Sequence, residues 1–288
     1  MSRVAIAHGE DAIETTVNAL KLIEPDVQTA LAESDQKLVL IKPNYINSKH
    51  PSTGITTDSR VIEGIVKFLK EHKIAGDIAV GEGSGFGDTF TAFKIAGVDQ
   101  VAERWNVKLI DLNKDEFADA NTPNPLNLKK FRVSRTALDS LIISVPKLKP
   151  HRIATVTLSL KNMMGTLASK GTMHMGASLS ENIADLASVV TPRLAVIDGI
   201  IAGEGHETSG NPVPMGLVIA GTDPVAVDAV GAAVMGIPPV SVKHLRLAER
   251  KGLGTCHLEQ IAVLGEPIDK VARKFSRSLS SKLLVHIG

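Results

Sequence analysis

The chain has 288 residues, 43% of them apolar and 22% charged, which is the balance of a soluble globular protein long enough to bury a substantial core. A net charge of +1 and an aromatic content of 3% offer neither a field that would gather nucleic acid nor the stacking platforms that single strands need. One cysteine, Cys256, excludes a disulfide framework and any zinc or iron–sulfur site built on thiolates alone; no apolar window is long enough for a bilayer span or a signal-peptide core, so a cytoplasmic protein is expected.

Residues 3–7 read as a first short strand, and residues 12–31 carry Ile13, Val17 and Leu20 at helical spacing. An apolar run over 38–41 ends in Lys42-Pro43-Asn44. A polar loop then leads to Asp58 or Ser59, either able to cap a helix over 61–72. Residues 78–80 run into Gly81-Glu82-Gly83-Ser84-Gly85, followed by a helix over 89–105, a strand over 107–112 and a polar surface excursion over 113–130. Two apolar runs, 141–145 and 155–160, read as central strands. The first delivers Lys147, Lys149 and His151, the second Lys161 and Asn162.

A glycine- and methionine-containing stretch with Met173, His174 and Met175 precedes a helix over 179–190. A strand over 194–197 ends in Asp198, and the loop 203–210 holds Glu204, His206 and Glu207. A strand over 217–220 leads to a helix over 225–235 that Asp223 caps and Pro224 opens. A helix over 244–251 and a strand over 261–264 close the pattern. Short strand, polar loop and amphipathic helix repeat throughout. The fold class is therefore α/β, a mostly parallel sheet with helices on both faces and a site at the strand carboxyl ends. Residues 1–267 read as one domain. Residues 268–288 carry Ile268, Val271, Phe275, Leu279 and Leu283 as a helical stripe flanked by lysines and arginines, a basic amphipathic tail suited to the protein's own surface, a partner or a membrane face.

An unpaired ammonium is costly to desolvate, so buried strands that stop at lysines mark a place built for negative charge. Lys147, Lys149, His151 and Lys161 read as a cradle for phosphate or carboxylate in which a lysine or His151 moves a proton. The simpler reading pairs one or two of these lysines with Glu82 or Asp198. Lys42, Asn44, Ser84 and Asn162 are the candidate substrate contacts. The glycine run 81–85 permits close backbone approach, but it has neither the Walker Gly-Lys-Ser/Thr nor the dinucleotide GxGxxG pattern. Glu82 and Asp198, with Glu204, Glu207, His174 and His206, make a divalent-metal set without the spacing of a known motif. Its oxygens would suit Mg or Mn, its histidines Zn, Ni or Fe. Asp228 reads as architecture, paired with a lysine across the site, and the methionines read as packing.

Lys42-Pro43-Asn44, Thr56-Thr57-Asp58, Gly81 to Gly85, Val145-Pro146-Lys147-Leu148-Lys149-Pro150-His151, Lys161-Asn162 with Gly165, Ile197-Asp198-Gly199, and Asp223 to Asp228 with Met235-Gly236 occur in this order. In them the chain, from about residue 38 to 255, resembles the bacterial and archaeal family catalogued as domain of unknown function 362. Many members carry an appended ferredoxin-like cysteine cluster, which implies redox work there. This chain departs from that pattern, since Cys256 alone cannot hold a cluster. The resemblance therefore implies either electrons from an external iron–sulfur or flavin partner, or non-redox chemistry. A fainter likeness to the lactate racemases rests on His151 preceding Lys161. The expectation is an enzyme acting on a small anionic metabolite. Its rival is a carrier of a cofactor, metal or anion; a racemase-like proton transfer is a lesser alternative.

Overall fold

The computed structural model describes residues 1–32, 37–174 and 178–278. Its strands are β1 (Ser2–His8), β2 (Val39–Pro43), β3 (Ile78–Glu82), β4 (Lys108–Asp111), β5 (Phe117–Asn121), β6 (Lys130–Ser134), β7 (Leu141–Val145), β8 (Lys149–His151), β9 (Thr155–Thr157), β10 (Leu194–Glu204), β11 (Asn211–Gly221) and β12 (Ile261–Gly265). Eight of them form one sheet in the order β12-β1-β11-β10-β7-β2-β3-β4. Only β11 runs against the others, pairing antiparallel with β1 on one side and β10 on the other. The remaining neighbours pair parallel.

Side-chain alternation along each strand builds a core on both faces. Val4, Ile6, Leu40, Ile142 and Ile197 enter one core, whereas Ala5, Val39, Ile41, Ile143 and Val196 enter the other. Helices Ala12–Leu22 and Ser59–Glu71 cover the second face, and Leu179–Ala187, Pro224–Val234 and Lys243–Arg250 cover the first. Aspartates start several helices where the sequence puts them. Asp58 accepts from Arg60 N, Asp88 from Thr91 N, and Asp223 from Val225 N and Ala226 N. Each such cap contributes about 1 kcal/mol.

Several expectations are corrected. The helix over 12–31 breaks at Ile23, because Pro25 has no amide to continue it and instead opens Glu24–Ala30. The helix over 89–105 breaks at Gly97, which takes φ +80° between Thr89–Ala96 and Val98–Trp105. The excursion over 113–130 contains β5, which pairs antiparallel with β6. Most consequentially, the run 155–160 is no central strand. β9 lasts three residues and pairs antiparallel with β8, and Ser159–Asn162 then turns helical. Among the described residues of the tail the helix covers Ile268–Val271. Beyond it Arg273 N and Phe275 N donate to Val234 O and Met235 O, and Phe275 is buried, so this part docks on the protein itself. The stripe positions Leu279 and Leu283, together with Met175, lie outside the described residues.

Candidate functional site

The carboxyl ends of β2 and β3, the β8–β9 hairpin, the Ser159–Asn162 turn and the loop after β10 enclose a cavity of about 510 Å³. β2 delivers Lys42 and β3 delivers Glu82 from the ends of neighbouring parallel strands. Lys42 Nζ meets Glu82 Oε1 at 2.6 Å, with both side chains buried. Glu82 also accepts from Tyr45 N at 2.9 Å and from Gly83 N at 2.7 Å. Burial lowers the Lys42 pKa and the Glu82 charge opposes that shift. Gly165 is required beside this pair, because a Cβ there would stand 2.6 Å from Lys42 Nζ.

Asn162 ties the floor together. Its Nδ2 donates to Lys42 O at 3.0 Å and Ser144 Oγ at 3.2 Å, while its Oδ1 accepts from Lys42 Nζ at 3.3 Å and Asn44 Nδ2 at 3.1 Å. Asp228 holds the turn carrying Asn162 by accepting from Ser159 N at 2.7 Å and Leu160 N at 3.0 Å. Two amides, not the expected lysine, are its partners. They satisfy backbone donors that a helix start leaves open.

Three of the four proposed catalytic residues line the cavity: Lys149, His151 and Lys161. Lys147 does not. It is sealed behind the wall against Asp198, with Nζ 2.6 Å from Oδ2, and Asp198 also takes the amides of Asp58 and Ile200. The ion-pair reading thus describes Lys147 and Asp198, whereas Glu82 is taken by Lys42, a lysine that reading did not include. Lys149 Nζ donates to Ile55 O at 2.6 Å and Glu207 O at 3.2 Å. Burial, with Lys161 and Lys147 nearby, brings its pKa down to about 7. Lys161 is half-buried in the cavity wall and has no hydrogen bond or ion pair among the described residues. Desolvation brings its pKa down to about 8, against the pull of Glu207. His151 Nδ1 accepts from Ile153 N and Ala154 N at 3.1 and 3.0 Å. In the neutral ring the proton therefore sits on Nε2, which faces Glu207 Oε1 at 3.5 Å.

Glu207 links the rim, reaching Arg152 Nε at 3.2 Å as well as His151. His206 also lines the cavity, with Nδ1 3.0 Å from Thr208 Oγ1. Ser84 is buried but does not line it, and its carbonyl accepts from Asn113 Nδ2. Among the described residues no three of Glu82, Asp198, Glu204, His206 and Glu207 bring ligating atoms together as a metal set. The side chain of His174 lies outside the described residues.

Arg152, Thr157 and Lys170 line the cavity without having been singled out. Arg152 adjoins His151 and could have been added on charge alone; nothing in the spacing of the other two marks them. In all, five lysines and arginines face two glutamates around the cavity. Two buried oxygens of lining residues, Asn44 Oδ1 and Thr157 Oγ1, have no hydrogen-bond partner among the described residues. Such a wall can hold an anion, and an amine that titrates near neutrality can exchange a proton with it.

Among the described residues no helix is long and apolar enough to cross a membrane. The chain is similar to the thylakoid-associated protein sll1697 of Synechocystis sp., at 27% identity over 243 residues that cover 81% of this chain and 74% of that protein. A family model described as domain of unknown function (DUF362) matches residues 39–233, a span that contains every cavity-lining residue named above and most of the chain; the chain belongs to the DUF362 family.

Proposed function

We propose that this protein is an enzyme that transfers a proton on a small carboxylate- or phosphate-bearing metabolite bound in the cavity. One observation carries the reading: Lys161 stands in a cation-lined cavity with no hydrogen bond or ion pair among the described residues and a pKa of about 8. Lys42 cannot take that role because Glu82 holds it, and Lys149 is turned toward two carbonyls. In this scheme Lys149 and Arg152 offset the substrate's charge. Lys161 accepts or returns the proton, and the Nε2–H of His151 offers a second transfer point on the Glu207 side. A cytoplasmic location belongs to the same reading. The thylakoid association of the relative suggests a peripheral contact here too, made without a spanning helix among the described residues.

The test uses the purified chain with a panel of small phosphorylated and carboxylated metabolites. Binding is read by calorimetry, and exchange of substrate C–H for deuterium is read by NMR in D₂O. Wild type is expected to bind at least one class and to exchange its proton. Lys161→Gln should retain the fold and lose at least ~10²-fold in exchange rate. Exchange undiminished in that variant would overturn the role of Lys161. Binding without exchange would instead make the protein a carrier.

A further inference from the structure

Away from the cavity, the connection from the Lys243–Arg250 helix to β12 brings Glu249, Cys256 and His257 together. One ligating atom from each lies within 4.8 Å of the other two. Glu249 Oε2 is 3.3 Å from Cys256 Sγ and 3.4 Å from His257 Nε2. A tetrahedral zinc ion has bonds of about 2.3 Å to sulfur and about 2.0–2.2 Å to nitrogen and oxygen, which sets its ligand atoms roughly 3.4–3.6 Å apart. Both observed edges come within a few tenths of an ångström of that figure.

Two further features point to an ion and not to a chance meeting of side chains. Glu249 is aimed by its other oxygen, Oε1, which accepts from Cys256 N at 3.0 Å and Thr255 Oγ1 at 2.9 Å and so leaves Oε2 to the sulfur and the imidazole. On the far side of the ring, His257 Nδ1 lies 3.3 Å from Glu259 Oε1. A carboxylate in that position orients a metal-bound imidazole and strengthens it as a ligand. The Cys256 thiol donates to Glu249 Oε2, so its proton lies in the space between sulfur and carboxylate that an ion would take. Cys256 is buried, while His257 and Glu249 reach solvent and give an ion a way in.

We propose that Glu249 Oε2, Cys256 Sγ and His257 Nε2 bind one zinc ion, with Glu259 orienting the imidazole. Binding replaces the thiol proton. The S–H bond breaks, the sulfur keeps its electron pair and donates it to Zn²⁺, and one H⁺ leaves to solvent. Three protein ligands leave a coordination position for water or an exchangeable ligand. The site ties the helix to the connection that leads to β12 and lies beyond the family-matched residues 39–233. It therefore stands or falls independently of the cavity's chemistry.

The test titrates Zn²⁺ into the chelator-stripped full chain by calorimetry and records the absorption spectrum with Co²⁺. One Zn²⁺ should bind per chain with release of one proton, and Co²⁺ should show a thiolate charge-transfer band. Cys256→Ser should abolish that band. His257→Gln, at an exposed position, should weaken Zn²⁺ binding more than ~10-fold while melting like the metal-free wild type, and Glu259→Gln should weaken it about 10-fold. No uptake by wild type, equal affinity in the Cys256 and His257 variants, or a cobalt band that survives Cys256→Ser would each overturn the site.

Discussion

Lys147 and Asp198 face each other at 2.6 Å with neither side chain reaching solvent. Removing one member of such a pair strands the other in the interior. Lys147→Met or Asp198→Leu alone should cost about 3–5 kcal/mol in urea unfolding, and the double replacement should recover most of that loss. A single-variant cost below about 1 kcal/mol would contradict the closed-pair assignment.

The two cavity lysines make stability depend on pH in a stated direction. Lys149 and Lys161 titrate near 7 and 8 in the folded chain against an ordinary 10.5. Below about pH 7 both carry a proton whether folded or not, and the cost of burying the charge is fully present. Between there and 10.5 the folded chain has already released protons that the unfolded chain still binds, so unfolding free energy should rise with pH. Urea midpoints in Lys149→Met/Lys161→Met should lose that slope.

Anion binding reverses the same shift. A bound phosphate or carboxylate favours the charged amine, so at about pH 8 binding should draw protons from solution, and at about pH 6 it should not. Calorimetry in two buffers of different ionisation enthalpy reads the difference. Lys161→Gln and Lys149→Gln should each remove part of the uptake, and the double replacement most of it.

Asp228→Ala would leave the buried amides of Ser159 and Leu160 without acceptors. A loss of about 2–4 kcal/mol is expected. Anion affinity should fall with it, because Lys161 and Asn162 ride on that turn. Unchanged stability would mean that water replaces the carboxylate.

Gly165→Ala should cost about 1–3 kcal/mol, since its Cβ would press on the sealed Lys42 ammonium, 2.6 Å away. Thermal unfolding reads the cost. The same change at Gly171, where a Cβ meets nothing within 4 Å, is the control.

The sheet, its helices and the edge that carries the cavity were legible in the chain, because they rest on local signals. Apolar periodicity sets strands and helices, and Asp58 and Asp223 mark helix starts where a carboxylate can reach free amides. Polar residues at strand ends lie at one edge of any parallel sheet, whatever its order. The same local signals misread 155–160. Thr155, Val156 and Thr157 are β formers in any context, and only the pairing of β9 with β8 turns them away from the sheet.

Charge pairing was the part the tertiary structure decided. Lys42 meets Glu82 forty residues on, and Lys147 meets Asp198 fifty-one residues on, because β2 lies beside β3 and β7 beside β10. Strand order is set by how whole faces bury against helices, and no single stretch encodes it. The sequence alone determined that the strand ends would gather lysines. Only the folded sheet neutralised Lys42 and Lys147 with buried carboxylates, and left Lys161 beside the cavity with no ion pair among the described residues.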